Sequence, residues 1–409
     1  MPVIVFIHQN MPGQFKNICQ ALAKNEKNTV YFITKKNTVD LPNVRRITYD
    51  LSRKPTGGSH QYISGLDSHL LYGQAVARKL LALKENNVQP DIIFAHSGWG
   101  EALFVKEIFP KAKLVVFSEF YYESRYSDTA FTHKGDVPVD TACKLVARNL
   151  HLTQSMMAAD IIMTPTLWQK FVHPRIVWPQ ILTLHEGIAV GDIRANRKNS
   201  VTLPNGWTLN KGDRVITYVS RNLEPYRGFD VFFEALKLLA RAAPDVKVVL
   251  IGGDDISYGK RPKGGTSWRD FFLHQEGPVL ENAAFLGKVP YPMFLDLLGI
   301  AKVHAYLTVP FVLSWSMLEA MALETLVVAS ATDPVREVIA DGKNGLLCDY
   351  TPQSVCDNLL RGLAMADEER GKIGRLARAT VEQNYSFDTV YLPGLVDEVR
   401  ARCGIDLIP

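Results

Sequence analysis

The sequence has no uncharged run long enough to cross a bilayer. Val303–Leu318 falls short of the ~20 residues a span needs, and Pro310 interrupts it. A helical membrane-spanning protein is therefore not expected. Ordered cysteine spacing is also lacking. The five cysteines, Cys19, Cys143, Cys348, Cys356 and Cys403, are odd in number and scattered. Neither a disulfide framework nor a metal-ligand cluster fits them, which leads to an expectation of reduced thiols in a cytoplasmic protein. The N-terminus offers only Val3–Ile7 as an apolar run, without a basic flank. That suits a first strand and not a secretion signal. The formal net charge of +4 is too small to argue for nucleic acid as a partner. There is no short-period repeat and no low-complexity segment.

What is present is a normal soluble composition, 47% hydrophobic and 22% charged, over 409 residues. That length exceeds one ordinary core, so two domains are expected. The charge is uneven: residues 1–190 carry 21 Lys and Arg against 15 Asp and Glu, which leaves 25 against 27 for the rest. A solvated surface accounts for this; so does a first half that touches an anionic surface or acceptor.

The most informative stretch is Val303–Ser330. An apolar run ends at Thr308, and Pro310 suits neither a strand nor a helix interior. A helix is expected from about Ser316, followed by a second apolar run, Leu326–Ala329. Strand, loop, helix and strand make a crossover unit of a parallel sheet. Such sheets bind ligands where strand ends meet helix starts, and helix starts favour phosphates. Glu319 is the one Asp, Glu, Lys or Arg between Val303 and Leu323. Its plain reading is a capping box with Ser316.

The same alternation runs through the chain. Apolar strands are expected at Val3–Ile7, Thr29–Ile33, Val44–Thr48, Asp91–Ala95, Leu114–Phe117, Asp160–Met163 and Ile181–Leu184. Helical spacing follows at Phe15–Leu22, Leu66–Leu83 and Cys143–Ala158, and a polar loop at Lys54–His60. His96, Glu101 and Glu119 lie just beyond strand ends, and Tyr121 belongs to an aromatic run that suits sugar rings. His96 could equally be a satisfied turn histidine. After a stretch rich in Asn, Lys, Arg and Gly the pattern restarts at Val215–Val219. The expected fold class is therefore α/β, with two Rossmann-like parallel-sheet domains facing across a cleft. The expected boundaries are 1–190, a linker at 191–212, 213–385, and a C-terminal helix at 386–409 that crosses back to the first domain.

Arg221 and Arg227 flank one strand-to-helix loop of the second half. Two guanidinium forks near exposed N–H groups suit a diphosphate, and Glu319 could accept hydrogen bonds from a ribose diol. Each arginine alone would pass as surface charge.

With these residues the chain resembles a family-4 retaining glycosyltransferase of GT-B architecture. The carrying motifs are Ser220-Arg-Asn-Leu-Glu-Pro-Tyr-Arg-Gly228, Phe285-Leu-Gly-Lys-Val289, Leu318-Glu-Ala-Met-Ala322 and Pro334-Val-Arg-Glu-Val338. His8-Gln-Asn-Met-Pro-Gly-Gln14 is similar to a subgroup from bacterial surface-polysaccharide clusters. The resemblance implies that Arg221 and Arg227 hold the donor diphosphate, with Arg227 in place of the usual lysine. It implies that Glu319, on the Leu318 motif, binds the ribose, that Val289 meets the base, and that Gly13 and Gln14 close on the phosphates. The family's first glutamate, eight positions before the second, is here Phe311. Ser314 and Ser316 are candidates to supply the missing hydrogen bonds. Glu119 is the candidate for the family's N-domain histidine, and His96, Glu101 and Tyr121 for acceptor or sugar contacts. The implied reaction moves a sugar, with retention, from a nucleotide-sugar, UDP-linked by expectation, to a hydroxyl of a glycan or lipid-linked acceptor. No cofactor and no metal are expected. The implied setting is cytoplasmic, with peripheral contact to the inner face of the membrane through the first domain. Alternatives are a non-catalytic nucleotide-binding partner of an active transferase and a sugar-nucleotide epimerase.

Overall fold

Strands built from Val, Ile and Phe with no polar face should be covered on both sides. They are so covered in the computed structural model, which describes residues 2–56, 60–194, 198–275 and 281–408. The chain divides into two compact units, Met1–Gly187 with Phe387–Pro409, and Ile188–Ser386.

The first unit holds β1 (Val3–Ile7), β2 (Thr29–Lys35), β3 (Val44–Tyr49), β4 (Ile92–His96), β5 (Lys113–Phe117), β6 (Ile161–Thr164) and β7 (Ile181–Thr183). They form one parallel sheet in the order β3-β2-β1-β4-β5-β6-β7. Alternate residues of a strand serve opposite faces. Ile4 and Phe6 of β1 meet Phe15, Ile18 and Leu22, together with Tyr391, Leu395 and Val399 of the C-terminal segment. Val5 and Ile7 meet Val76, Leu80 and Leu83 of the helix Ser64–Glu85. The C-terminal segment is a π-helical turn, Phe387–Tyr391, running into the helix Leu392–Cys403.

The expected single helix over 143–158 is two, Val139–Arg148 and Leu150–Met157. Asn149 stands at the break. Its side chain accepts from the Tyr122 N–H at 3.0 Å and donates to the Tyr122 carbonyl at 2.6 Å. Periodicity is blind to this tie, which fixes the segment after β5. Residues 57–59 of the expected loop at 54–60 lie outside the described residues.

The second unit begins where a linker was expected. Residues 191–212 carry most of a short helix, Val190–Arg194, and an antiparallel hairpin of β8 (Ser200–Thr202) and β9 (Thr208–Asn210); 195–197 lie outside the described residues. Ile193, Val201, Leu203 and Leu209 are buried in the core of this unit. Those few apolar side chains outweigh the polar composition that suggested a linker. Next come β10 (Val215–Asn222), β11 (Lys247–Gly253), β12 (Ala283–Phe285), β13 (Val303–Tyr306), β14 (Leu326–Ser330) and β15 (Leu346–Cys348). They pair in parallel in the order β12-β11-β10-β13-β14-β15. The helix Phe229–Ala242 seals one face with Phe229, Phe232 and Phe233. Met317, Leu318 and Met321 of the helix Trp315–Ala322 lie on the other.

Among the described residues no helix is long and apolar enough to cross a membrane.

Candidate active site

In the second unit the end of β10 departs from regular pairing. Val219 sits opposite Ile251 and Asn222 opposite Gly253, so two residues of β10 face one of β11. A bulge of this kind re-aims side chains, and Arg221 is exposed at it. Gly252 permits the approach: a Cβ there would lie 2.8 Å from the Ser220 carbonyl oxygen. A Cβ at Gly253 would meet Asn222 Oδ1 at 2.5 Å and Lys288 Cε at 2.7 Å.

Arg221 and Lys288 stand on the wall of a cavity of about 260 Å³ that also exposes Ile251, Val289, Tyr291 and Phe294. Two cations beside an apolar floor suit an anion attached to a flat ring. Tyr291 extends the site, since its hydroxyl donates to Glu319 Oε1 at 2.7 Å. Thus Arg221, Val289 and, through Tyr291, Glu319 come together. Lys288 and Tyr291 were not singled out from the sequence. Lys288 lay inside a quoted motif; Tyr291 follows Pro290, which gave no signal beyond a helix start.

Arg227 lies elsewhere than beside Arg221 on that cavity wall. It sits in a turn, Pro225–Arg227, ended by Gly228 at φ +70°, where a Cβ would be 2.5 Å from Leu307 Cβ. Its side chain is buried. Nη1 donates to Thr308 Oγ1 at 3.1 Å and to the Val312 carbonyl at 2.7 Å. The guanidinium lies 5.5 Å from the Tyr258 ring and 5.4 Å from that of Phe311. Among the described residues it has no carboxylate within ion-pair distance. Phe311, where the family has a carboxylate, therefore belongs to an aromatic cluster beside a buried cation, 4.9 Å from the Tyr258 ring and with Tyr226 edge-on to it at 5.2 Å.

The capping box does not form. The helix starts at Trp315 behind Ser314, which makes no side-chain cap bond, and Ser316 lies inside the helix. Ser314 Oγ and Ser316 Oγ face each other at 3.0 Å. Glu319 Oε1 accepts from the Tyr291 hydroxyl. The Leu318 side chain is fully buried in the core, so it offers no contact to a ligand.

A second constellation occupies the first unit. The chain runs β1, β2, β3 to one side and β4 onward to the other, so β1 and β4 flank the switch point where such sheets bind ligands. His8 and Glu119 follow β1 and β5 there, and His96 ends β4. His8 Nε2 and Gln14 Oε1 are 2.7 Å apart, and Gln14 Nε2 donates to Glu119 Oε1. Glu119 Oε2 is 3.6 Å from His96 Nε2. The rings of His8 and His96 meet at 4.9 Å, and Trp99 stacks on His96 at 4.5 Å. Gly13, at φ +51°, has room for no side chain: a Cβ would fall 2.4 Å from the His8 ring. Burial, helped by neighbouring His96, holds the His8 pKa down to about 3. Burial pushes the Glu119 carboxyl up, but the neighbouring His96 and the hydrogen bond from Gln14 outweigh it and leave the group below its usual range. Glu119 is thus an ionised carboxylate, a quarter of its side chain accessible.

His8 and Trp99 were missed. The position of His8 just after a strand was the available signal. Glu101 and Tyr121 do not join this group. Glu101 is buried, accepts from the Tyr49 hydroxyl at 2.7 Å, and has its pKa raised by burial. Tyr121 packs on His173 and lies 3.4 Å from Thr153 Oγ1. Among the described residues no three His, Cys, Asp or Glu side chains are grouped to hold a metal ion.

A family model for "Glycosyl transferase family 4 group" matches residues 26–193, and one for "Glycosyl transferases group 1" matches 202–379. A phosphatidyl-myo-inositol mannosyltransferase of Mycolicibacterium smegmatis is 28% identical over 180 residues, 43% of this chain and 42% of that protein. The enzyme of that name from Mycobacterium tuberculosis is 26% identical over 246 residues, 54% of this chain and 57% of that protein. The chain thus spans about half the length of these curated relatives. Among solved structures, Anabaena HepE in complex with UDP and glucose has a TM-score of 0.66 at 16% identity, covering 98% of this chain and 100% of its own. A sucrose-phosphate synthase from Thermosynechococcus elongatus has a TM-score of 0.70 at 17% identity, with coverages of 98% and 100%.

Proposed function

The chain belongs to the family-4 glycosyltransferases of GT-B architecture, and from that premise we propose that it is a retaining transferase that takes a sugar from a nucleotide-diphosphate sugar. The observation that carries the proposal is the cavity at the end of β10, where Arg221 and Lys288 meet Val289 and the Tyr291–Glu319 pair. Its two cations answer a diphosphate, its apolar wall a base, and its carboxylate a pentose diol. Arg227 adds a buried cation that lacks a carboxylate partner among the described residues.

In this reading the bond from the anomeric carbon to the diphosphate oxygen breaks while an acceptor hydroxyl attacks the same face. The charge gathering on the diphosphate is met by arginine and lysine, not by a metal. A donor oriented in advance toward such charge is worth about 3–4 kcal/mol of barrier. The leaving oxygen takes the acceptor proton, so no separate base is required. In the first unit Glu119, bonded to Gln14 and beside His96, is a fixed negative charge at the switch point of the sheet, and Gly13 sets the loop that presents Gln14. Ser314 and Ser316 offer hydroxyls near the donor sugar in place of the absent carboxylate.

The donor is read as UDP-linked, which agrees with the HepE complex. The acceptor is read as a glycan or a lipid-linked hydroxyl at the inner face of the membrane, which agrees with the inositol-lipid relatives. Calorimetry tests the site: UDP should bind, and Arg221→Ala with Lys288→Ala should weaken it at least tenfold. An inverted anomeric configuration in the NMR spectrum of the product would remove the mechanism. One observation favours a second reading, a nucleotide-binding partner without turnover: Phe311 stands where the family has a glutamate. Slow donor hydrolysis by the purified chain would exclude that reading.

A further inference from the structure

Glu224 is fully buried and makes no ion pair among the described residues. A carboxylate taken out of water needs other partners. It finds them in backbone N–H groups of the segment that follows β11. The Ser257 N–H lies 3.2 Å from Oε1 and 3.3 Å from Oε2, and the Tyr258 N–H donates to Oε2 at 2.9 Å. Burial raises the pKa of this carboxyl, and the two N–H groups oppose the rise. Asn222 adds a second tie, its Nδ2 donating to Ser257 Oγ at 2.7 Å. The turn after β10 and the segment after β11 are thus fastened to each other.

The turn does not need this carboxylate for itself. The Glu224 carbonyl already closes it, accepting from the Arg227 N–H at 3.1 Å and the Phe229 N–H at 3.3 Å. An acid three residues before a buried arginine would ordinarily pair with it. Here the acid is occupied by two N–H groups, and the guanidinium keeps its charge for another anion.

What the tie delivers is Tyr258. Its ring lies 5.5 Å from the guanidinium and 4.9 Å from the Phe311 ring. Arg227 Nη1 is bonded to Thr308 and to the Val312 carbonyl, and the two rings limit the movement that remains. A cation that must meet a developing charge acts only when held in place. A displacement of about 1 Å can cost roughly a hundredfold in rate.

We propose that Glu224 is a positioning residue: its carboxylate anchors the segment after β11, so that Tyr258 holds the Arg227 guanidinium where the leaving diphosphate gathers charge. The proposal rests on the transferase reading and adds to it a residue that touches no substrate.

The test is UDP release from a panel of UDP-hexoses, with kcat and KM measured separately and a thermal melt of each variant. Glu224→Ala keeps the carbonyl bonds of the turn and leaves the Arg221–Lys288 cavity alone. It should lower kcat roughly tenfold to a hundredfold while KM changes by less than about threefold. Glu224→Gln keeps one acceptor oxygen and should recover part of the loss. In the Arg227→Gln chain, removing Glu224 should cost no more than about twofold, because its effect runs through Arg227. Asp255→Ala alters an exposed side chain of the same segment and should turn over as the unaltered chain does. Should Glu224→Ala melt too low to assay, Tyr258→Leu removes the ring from the guanidinium and should give the same split between kcat and KM.

Unchanged kcat in Glu224→Ala or Tyr258→Leu would overturn the proposal. So would a full further loss in the Arg227→Gln chain, an effect confined to KM, or an equal loss in Asp255→Ala. If the unaltered chain releases no UDP from any donor, the transferase reading fails and this proposal with it. If the unaltered chain is active and Glu224→Ala matches it, the reading stands and the proposal alone fails.

Discussion

Exchanging Arg227 for glutamine should separate stability from turnover. The side chain is buried and lies against two aromatic rings, with hydrogen bonds of 3.1 and 2.7 Å and no carboxylate partner among the described residues. Taking a charge out of water without a counter-charge costs several kcal/mol. Two ring contacts return about 1–2 kcal/mol each, and each hydrogen bond a further ~1 kcal/mol. The empty protein therefore gains little from the charge. Glutamine keeps a donor that can reach one of the two acceptors, so the folded state should change by no more than about 1–2 kcal/mol. In a unit of this size that is a shift of only several degrees in thermal midpoint.

Turnover behaves differently. If the guanidinium waits for a diphosphate, its loss should remove about 3–4 kcal/mol of barrier lowering, a factor of roughly 10²–10³. The assay is UDP release from the nucleotide-sugar, run beside a thermal melt, with Arg227→Lys as a third sample that restores charge without the fork. Near-normal turnover in the glutamine variant would refute the reasoning. So would a collapse of the midpoint with normal turnover per folded molecule, which would mark Arg227 as a structural strut.

Three further outcomes follow from the geometry. Tyr291→Phe removes the 2.7 Å bond to Glu319 and should weaken UDP by about 1.5 kcal/mol. Pyrophosphate binding should not change, and calorimetry with both ligands checks the difference. Acidification should destabilise the fold, because burial lowers His8, His151 and His304 to about 3 and His173 to about 4. The unfolded imidazoles, near 6.5, take protons first as pH falls. Stability is thus full above that value and is lost toward the folded values, about 2 kcal/mol per histidine between pH 7.5 and 5. An unchanged urea midpoint at pH 5 would contradict this. Gly100→Ala should cost roughly 3 kcal/mol or more, since Gly100 has φ +97° and a Cβ would lie 2.3 Å from the His69 carbonyl oxygen; a melt within two degrees of the unaltered chain would count against it.

Much of the fold was legible because parallel strands are apolar throughout. The five residues of β1 were delimited as they stand. Val303–Ser330 gave the strand, loop, helix and strand that the structure contains. Sequence reading failed where a single side chain decides. Asn149 splits one helical period by bonding to Tyr122, and Val201, Leu203 and Leu209 turn a polar stretch into part of a core. Ser316 and Glu319 have capping-box spacing, yet Tyr291 takes the carboxylate. At the candidate site, the gathering of Arg221 with Val289 was foreseeable from motif likeness. The chain His8–Gln14–Glu119–His96 was not, because its members come from three strands and only their adjacency in the sheet joins them.

The second unit is spliced into the first. Its opening and closing residues lie side by side, with Ile188 bridged to Ser386, and the segment after Ser386 completes the core around Phe6 and Phe94. On the ribosome, the first unit must wait for the segment 387–408 before its hydrophobic interior can close, while the insert has a core of its own. For the engineer, the neighbouring seams mean that 188–386 is a cassette: a homologous second unit could be exchanged at two adjacent junctions without touching the host sheet.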